Sequence, residues 1–226
     1  LCLVDGRRIE GVSVDRGSSR RALDVARYFA QMSAGEAASV LAFETLEREL
    51  AAVGASETLL AWVARAAQDE REHARIAAEF AREAGSEPDA VIDHRKRAPR
   101  GAFEIALENA EVGCVDETFG ALLATWQMTH ARDARVREFF RRIARDESDH
   151  AALAWEMADA LDSVLTNEQR AIVERRRAEA LRALTARSYA PPAAWISELG
   201  VAEPEVFAAL AEGFARSVER SSATNA

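Results

Sequence analysis

The chain has 226 residues, a net charge of −9 and a pI of about 5.1, and Ala, Glu, Arg and Leu dominate its composition. That length suits one sizeable domain with a real core, and the composition favours helices because those side chains lose little rotamer freedom in them. The acidic balance argues against a nucleic-acid partner, no apolar run of ~18 residues suggests a membrane span, and the two cysteines, Cys2 and Cys114, form no CxxC pair of a zinc-ribbon or rubredoxin-type module.

In chain order, residues 1–19 read as an N-terminal arm, extended or a short hairpin. Helical patterning begins near Ser19 or Arg20. Ser33 with Glu36 has capping-box spacing, so a second helix starts there or the first bends. The pattern stops at Gly54. Ser56 caps a helix running to about Gly85. Residues 86–100, with Pro88, Pro99 and a basic run at Arg95-Lys96-Arg97, form a linker able to span roughly 50 Å. Helices follow at about 101–130, 134–164, 167–187 (Thr166 and Gln169 as capping box) and 204–220, with Pro191-Pro192 as a break. The expected domains are an arm (1–19), a four-helix bundle (20–165) and a C-terminal helical extension packing on it (166–226).

The chain repeats itself. Arg65, Ala67, Asp69, Glu70, His73, Ala74 and Ala77 recur at a constant offset as Arg142, Ala144, Asp146, Glu147, His150, Ala151 and Ala154. In each copy the Glu and His replace core residues one turn apart on an apolar stripe: Leu59, Val63, Ala66, Glu70, His73, Ala77 in one, and Phe140, Ile143, Glu147, His150, Ala154, Met157 in the other. The third helix carries Glu117 on a stripe with Phe103, Leu107, Ala110, Cys114, Ala121 and Ala124. The first offers Glu36 or Glu44. Glu36 shares its stripe with Phe29, Val40, Phe43 and Leu50, and it balances the Glu70–His73 pair about the turn at Gly54, so Glu36 is chosen.

Four carboxylates and two imidazoles in one core would be untenable without compensation, because each unpaired buried charge costs several kcal/mol. Two divalent cations remove the problem, and this donor set suits Fe or Mn better than a thiolate-preferring metal. The predicted ligands are Glu36, Glu70, His73, Glu117, Glu147 and His150. Asp69 and Asp146, beside the ligand glutamates, are candidate hydrogen-bond acceptors for the histidines. Cys114, one turn before Glu117, reads as a small core residue that could touch the site. Tyr28, Trp126 and Trp155 read as packing residues, and His94 and His130 as surface residues in turns.

At Glu36-Ala-Ala-Ser-Val-Leu-Ala-Phe43, Asp69-Glu-Arg-Glu-His73, Gly113-Cys-Val-Asp-Glu-Thr118 and Asp146-Glu-Ser-Asp-His150, the chain resembles the ferritin-like superfamily, especially rubrerythrin-like bacterial proteins. The resemblance covers about residues 20–165. It implies an all-α bundle with a long crossover between the second and third helices. It also implies that Glu70 and Glu147 bridge two metals, that Glu36 and Glu117 are terminal ligands, and that each histidine binds one metal. Cys114 stands where some rubrerythrins place an extra carboxylate.

The expected function is therefore that of a non-haem di-iron protein (Mn or mixed Mn/Fe being the alternatives), an oxidoreductase that reacts with O2 or H2O2 using an external electron donor. The alternatives are an oxygenase acting on a small organic substrate, and an iron-binding or storage protein without substrate chemistry. A homodimer is one assembly the sequence allows. Because the chain begins at Leu1 rather than Met, an upstream segment such as a signal peptide is conceivable, and the sequence does not decide between a cytoplasmic and an exported protein.

Overall fold

The computed structural model of the chain describes residues 12–15, 24–94 and 98–224. Cys2, most of the arm and the basic run Arg95–Arg97 lie outside them. The described elements are β1 (Val12–Asp15), α1 (Asp24–Ala52), α2 (Glu57–Glu83), β2 (Ala90–His94), α3 (Ala102–Glu111), a π-helical segment (Val112–Glu117), α4 (Thr118–His130), α5 (Ala134–Asp162), α6 (Asn167–Thr185), α7 (Ala193–Leu199) and α8 (Pro204–Thr224). The described residues are helical but for loops and the small ribbon in which β1 pairs antiparallel with β2.

The long helices are delimited as their end residues dictate. Gly54 takes φ +82° after α1, a left-handed conformation open to glycine at little cost. The Ser56 hydroxyl accepts from Leu59 N at the start of α2, and Asp133 accepts from Arg135 N at the start of α5. Thr166 and Gln169 form the capping box that opens α6. Ser33 caps nothing. It is buried in the middle of an unbroken α1, and its hydroxyl donates to Ala74 O of α2 at 2.9 Å. A hydroxyl two helices share is satisfied without ending either one, which is why the capping-box spacing misleads there.

Helices α1 and α2 form one hairpin, and α3 through α4 form a second with α5. Asp89 N donates to Ala30 O, near the start of α1, whereas Arg100 N donates to Glu49, near its end. Those two points on α1 lie about 28 Å apart along the helix. The connection from α2 to α3 therefore crosses the length of the bundle, and α3 starts at the end where α2 started. The crossover is not wholly irregular, since it contains β2, with which the described strand of the arm, β1, pairs.

Arg100 anchors the far end of this crossover. Its guanidinium donates to both Glu49 and Glu108, and the Glu49 carboxylate is buried. Paired this way, the three charges fix where α3 begins relative to α1.

Two apolar clusters occupy the bundle. One contains Tyr28, Phe29, Met32, Ala77, Ala124, Phe139, Phe140 and Ile143. The other contains Phe43, Leu46, Leu50, Leu59, Val63, Ala110, Leu153 and Met157. On every long helix the residues between these clusters include the polar positions singled out above.

The C-terminal helices pack on the bundle: α6 on α3, α8 on α6 and α4, and α7 on α1. Helix α7, between the proline break and Pro204, is not foreseen by the sequence pattern, being only seven residues long. It is locked at both ends, by Trp195 Nε1 donating to Asp24 O at 2.7 Å and by Arg132 N donating to Glu198 O. A third apolar cluster, with Val115, Phe119, Leu123, Leu181, Leu184, Phe207 and Phe214, joins α4 to α6 and α8.

Candidate metal centre

Each of the six predicted ligands is buried: Glu36, Glu70, His73, Glu117, Glu147 and His150. They come from α1, α2, the π segment and α5. Ligand atoms of Glu36, Glu70, His73 and Glu147 all lie within 4.8 Å of one another, a group that could hold a metal ion. His150 joins this group through Nδ1, 3.4 Å from Glu70 Oε1 and 3.8 Å from Glu147 Oε1. The two imidazole rings are 6.4 Å apart between centroids. Glu117 lies outside the compact group of four. It sits at the end of the π segment, flanked along the chain by Ala110 of one apolar cluster and Ala124 of the other, and so at the level of the polar layer.

Glu44 is elsewhere. Its side chain is 43% exposed and pairs with Arg71.

The internal repeat becomes a reciprocal pairing in space. His73 Nε2 donates to Asp146 at 3.1 Å, and His150 Nε2 faces Asp69 at 3.5 Å. Each histidine thus meets the aspartate of the other copy across α2 and α5. The two halves are unequal. Asp146 is buried and also receives two hydrogen bonds from Arg145, whereas Asp69 is partly exposed and pairs only distantly with Arg65. The partnership of Arg145 with Asp146 is not signalled by the periodicity, because neighbours in sequence point to different sides of a helix.

The protonation states show the strain of this cluster. Burial alone would lower His73, but its bonds to Asp146 and Glu70 raise it to about 9. His150, for which burial acts the same way, is held well above its ordinary value by Asp69, Glu70 and Glu147. Burial would push Glu70 up, yet hydrogen bonds and charge from the two histidines hold it well below the carboxylate range. Burial and the adjacent Glu70 charge push Glu147 up to about 7. Asp146 is brought down to about 2, against its own burial, by His73 and Arg145.

Two imidazolium ions cannot balance four buried carboxylates. Glu70 Oε1 and Glu147 Oε1 lie 3.4 and 3.8 Å from His150 Nδ1, and both His150 nitrogens face their oxygens without the alignment of a full hydrogen bond. Buried polar atoms of this kind call for a partner. A hard divalent cation fits that requirement, since every donor here is a carboxylate oxygen or an imidazole nitrogen.

Cys114 is fully buried on the π segment, with Sγ 3.7 Å from Ala154 O and from Asn109 Nδ2. The π segment also changes the predicted stripe. Before it, α3 buries Ile105, Ala106, Asn109 and Ala110, leaving Phe103 and Leu107 only partly buried. Such segments recur at functional sites because the extra residue per turn re-aims the side chains that follow. The aromatics singled out earlier pack locally: Tyr28 against Phe29, Phe140 and Trp195, Trp126 flat on the His130 ring, and Trp155 beneath the Arg177 guanidinium. His130 is the last residue of α4, so it belongs to a helix and not to a turn.

Among the described residues, no helix is long and apolar enough to cross a membrane. Comparison with protein-family models, with curated proteins and with solved structures finds no match to this chain. The class rests on architecture and site alone: a helical bundle with a buried Glu/His cluster that could bind metal.

Proposed function

We propose that the chain is a ferritin-like carboxylate protein holding two metal ions, iron in the first instance, and that it works as an oxidoreductase on O2 or H2O2. The observation that supports this best is the buried layer of four glutamates and two histidines, drawn from all four long segments of the bundle, within which Glu70 Oε1, Glu147 Oε1 and the His150 nitrogens lack well-aligned hydrogen-bond partners. Two Glu plus two Glu-x-x-His pairs on facing helices form the recurrent two-metal ligand set of bundles. Glu36, Glu70, His73 and Glu147 would hold one side, and His150 and Glu117 would complete the other. Iron bound there would supply one-electron chemistry toward O2 or peroxide.

The chain's own residues would do the rest. Asp146 and Asp69 would hold the imidazoles in orientation from their far nitrogens. The apolar clusters on either side exclude water from the layer.

A second reading, chemistry on a small organic substrate, is favoured by a groove of about 1200 Å³ whose lining includes Thr118, Ser148 and Ala151, each next in sequence to a candidate ligand. Anaerobic Fe(II) titration followed by O2 or H2O2 tests the proposal. About two Fe(II) per chain, with an absorbance change on oxidation, is the expected result. Failure to bind Fe(II) at all would remove its basis.

A further inference from the structure

The groove lies between the outer side of the bundle and the C-terminal helices. Residues from α3, α4, α5, α6 and α8 line it. Its volume, about 1200 Å³, is somewhat above the ~300–1,000 Å³ of most organic ligand sites. Small side chains form part of its wall, with Ala110, Ala121 and Ala151 on the bundle side and Gly213 on α8, among larger apolar residues such as Trp155, Leu210 and Phe214. At Gly213 no atom lies within 4 Å of where a Cβ would be.

Charge is distributed unevenly in the groove. Asp159, Asp162 and Glu174 are exposed, at its rim. Arg170, the second cation of the lining, is tied to Asp162 at 3.1 Å. Arg177 lies further in. Its side chain is only 12% exposed, and the guanidinium sits 5.0 Å over the Trp155 ring. One terminal nitrogen pairs with Glu174 at 3.1 Å, but the buried Nε–H meets no acceptor. Because Nε is itself buried, an anion would meet the guanidinium at its exposed edge, beside Glu174, where a cation held flat on an aromatic ring presents a pre-oriented charge.

From Trp155 to Ser148 the groove follows α5 for about 10 Å. At that far end lie Thr118, Ser148 and Ala151, which follow Glu117, Glu147 and His150 in sequence. Successive helical residues point about 100° apart, so α5 turns its ligands inward and its groove lining outward.

We propose that this groove binds a small organic carboxylate, with its carboxylate on Arg177 and its apolar body laid along the alanine wall toward Ser148. The inference extends the organic-substrate reading above. Its test must therefore separate the two, and calorimetric titration of octanoate, octylamine and octanol into the full chain as purified, with metal content measured on the same sample, does so. Octanoate is expected to bind at least tenfold more tightly than octylamine, whatever the metal content. Arg177→Gln is expected to abolish that preference, and Gly213→Phe, which fills the groove away from the metal layer, to weaken octanoate and octanol alike by tenfold or more. If the Arg177 variant fails to fold, the Gly213 variant still decides whether the groove is the site. Equal binding of octanoate and octylamine, unchanged octanoate binding in either folded variant, or no binding together with a dimer that buries the groove would overturn the proposal. Octanoate binding to a sample that takes up no metal would keep it and sink the metal centre instead.

Discussion

The histidines carry a charge that the proposed metal centre would have to displace. In the metal-free site at pH 7, His73, with a pKa of about 9, is protonated, and Glu147, at about 7, is half protonated. A metal needs both deprotonated. Loading at pH 7 should therefore release protons, roughly two to three per chain when His150 is included, and affinity should fall as pH falls. Calorimetry in buffers of different ionisation heat measures the release, and zero release would contradict this account. The sign for stability is the reverse. His73 has a folded value above its unfolded 6.5, so its contribution is complete below pH 6.5 and lost as pH rises through about 9. Metal-free protein should melt at a lower temperature at pH 9 than at pH 6. The choice of first-helix ligand is tested at this scale too. Glu36→Ala should lose metal. Glu44→Ala should keep it and change stability by less than about 0.5 kcal/mol, because its partner Arg71 is exposed as well.

At the scale of elements, two joints hold the helices in register. Gly200 ends α7 at φ +64°, and a Cβ there would sit 2.3 Å from Ala131 N in the turn between α4 and α5. Gly200→Ala should cost about 2 kcal/mol or more, read as a lowered melting temperature, through left-handed strain and the clash together. The second joint is Arg100 with Glu49 and Glu108. Arg100→Met leaves the buried Glu49 carboxylate without its main partner and should cost about 3 kcal/mol in denaturant unfolding. Much of the element pattern was legible in the sequence. The Asp-Glu-x-x-His repeat placed two buried Glu/His pairs on equivalent helices, and caps at Ser56 and Thr166 marked real starts. The π segment was not legible, because one extra residue in a helical turn is settled by packing against α5 and not by propensity. The short α7 escaped because seven residues hold too little periodicity to register.

At the scale of the whole molecule, the C-terminal extension is part of the core. Val115, Phe119 and Leu123 of the third long segment are buried against Leu181, Leu184, Phe207 and Phe214. A chain ending at residue 165 should expose this cluster, bind a hydrophobic dye and unfold at lower denaturant than the full chain. If it kept full stability, residues 166–226 would be an appendage after all. The same packing creates the groove, because α8 meets α6 and α4 without filling the space over the alanines of α5.

By itself the sequence determined which side chains could form a buried polar layer. A helix's 3.6-residue period converts spacing directly into a face, and a glutamate or histidine on an apolar face stands out. It also determined that two such faces were copies of each other. Only the tertiary structure decided which copy's aspartate serves which histidine, where the crossover carries α3, and how Arg177 comes to lie over Trp155. Those are relations between helices, set by the packing of surfaces distant in sequence, and no local period encodes them.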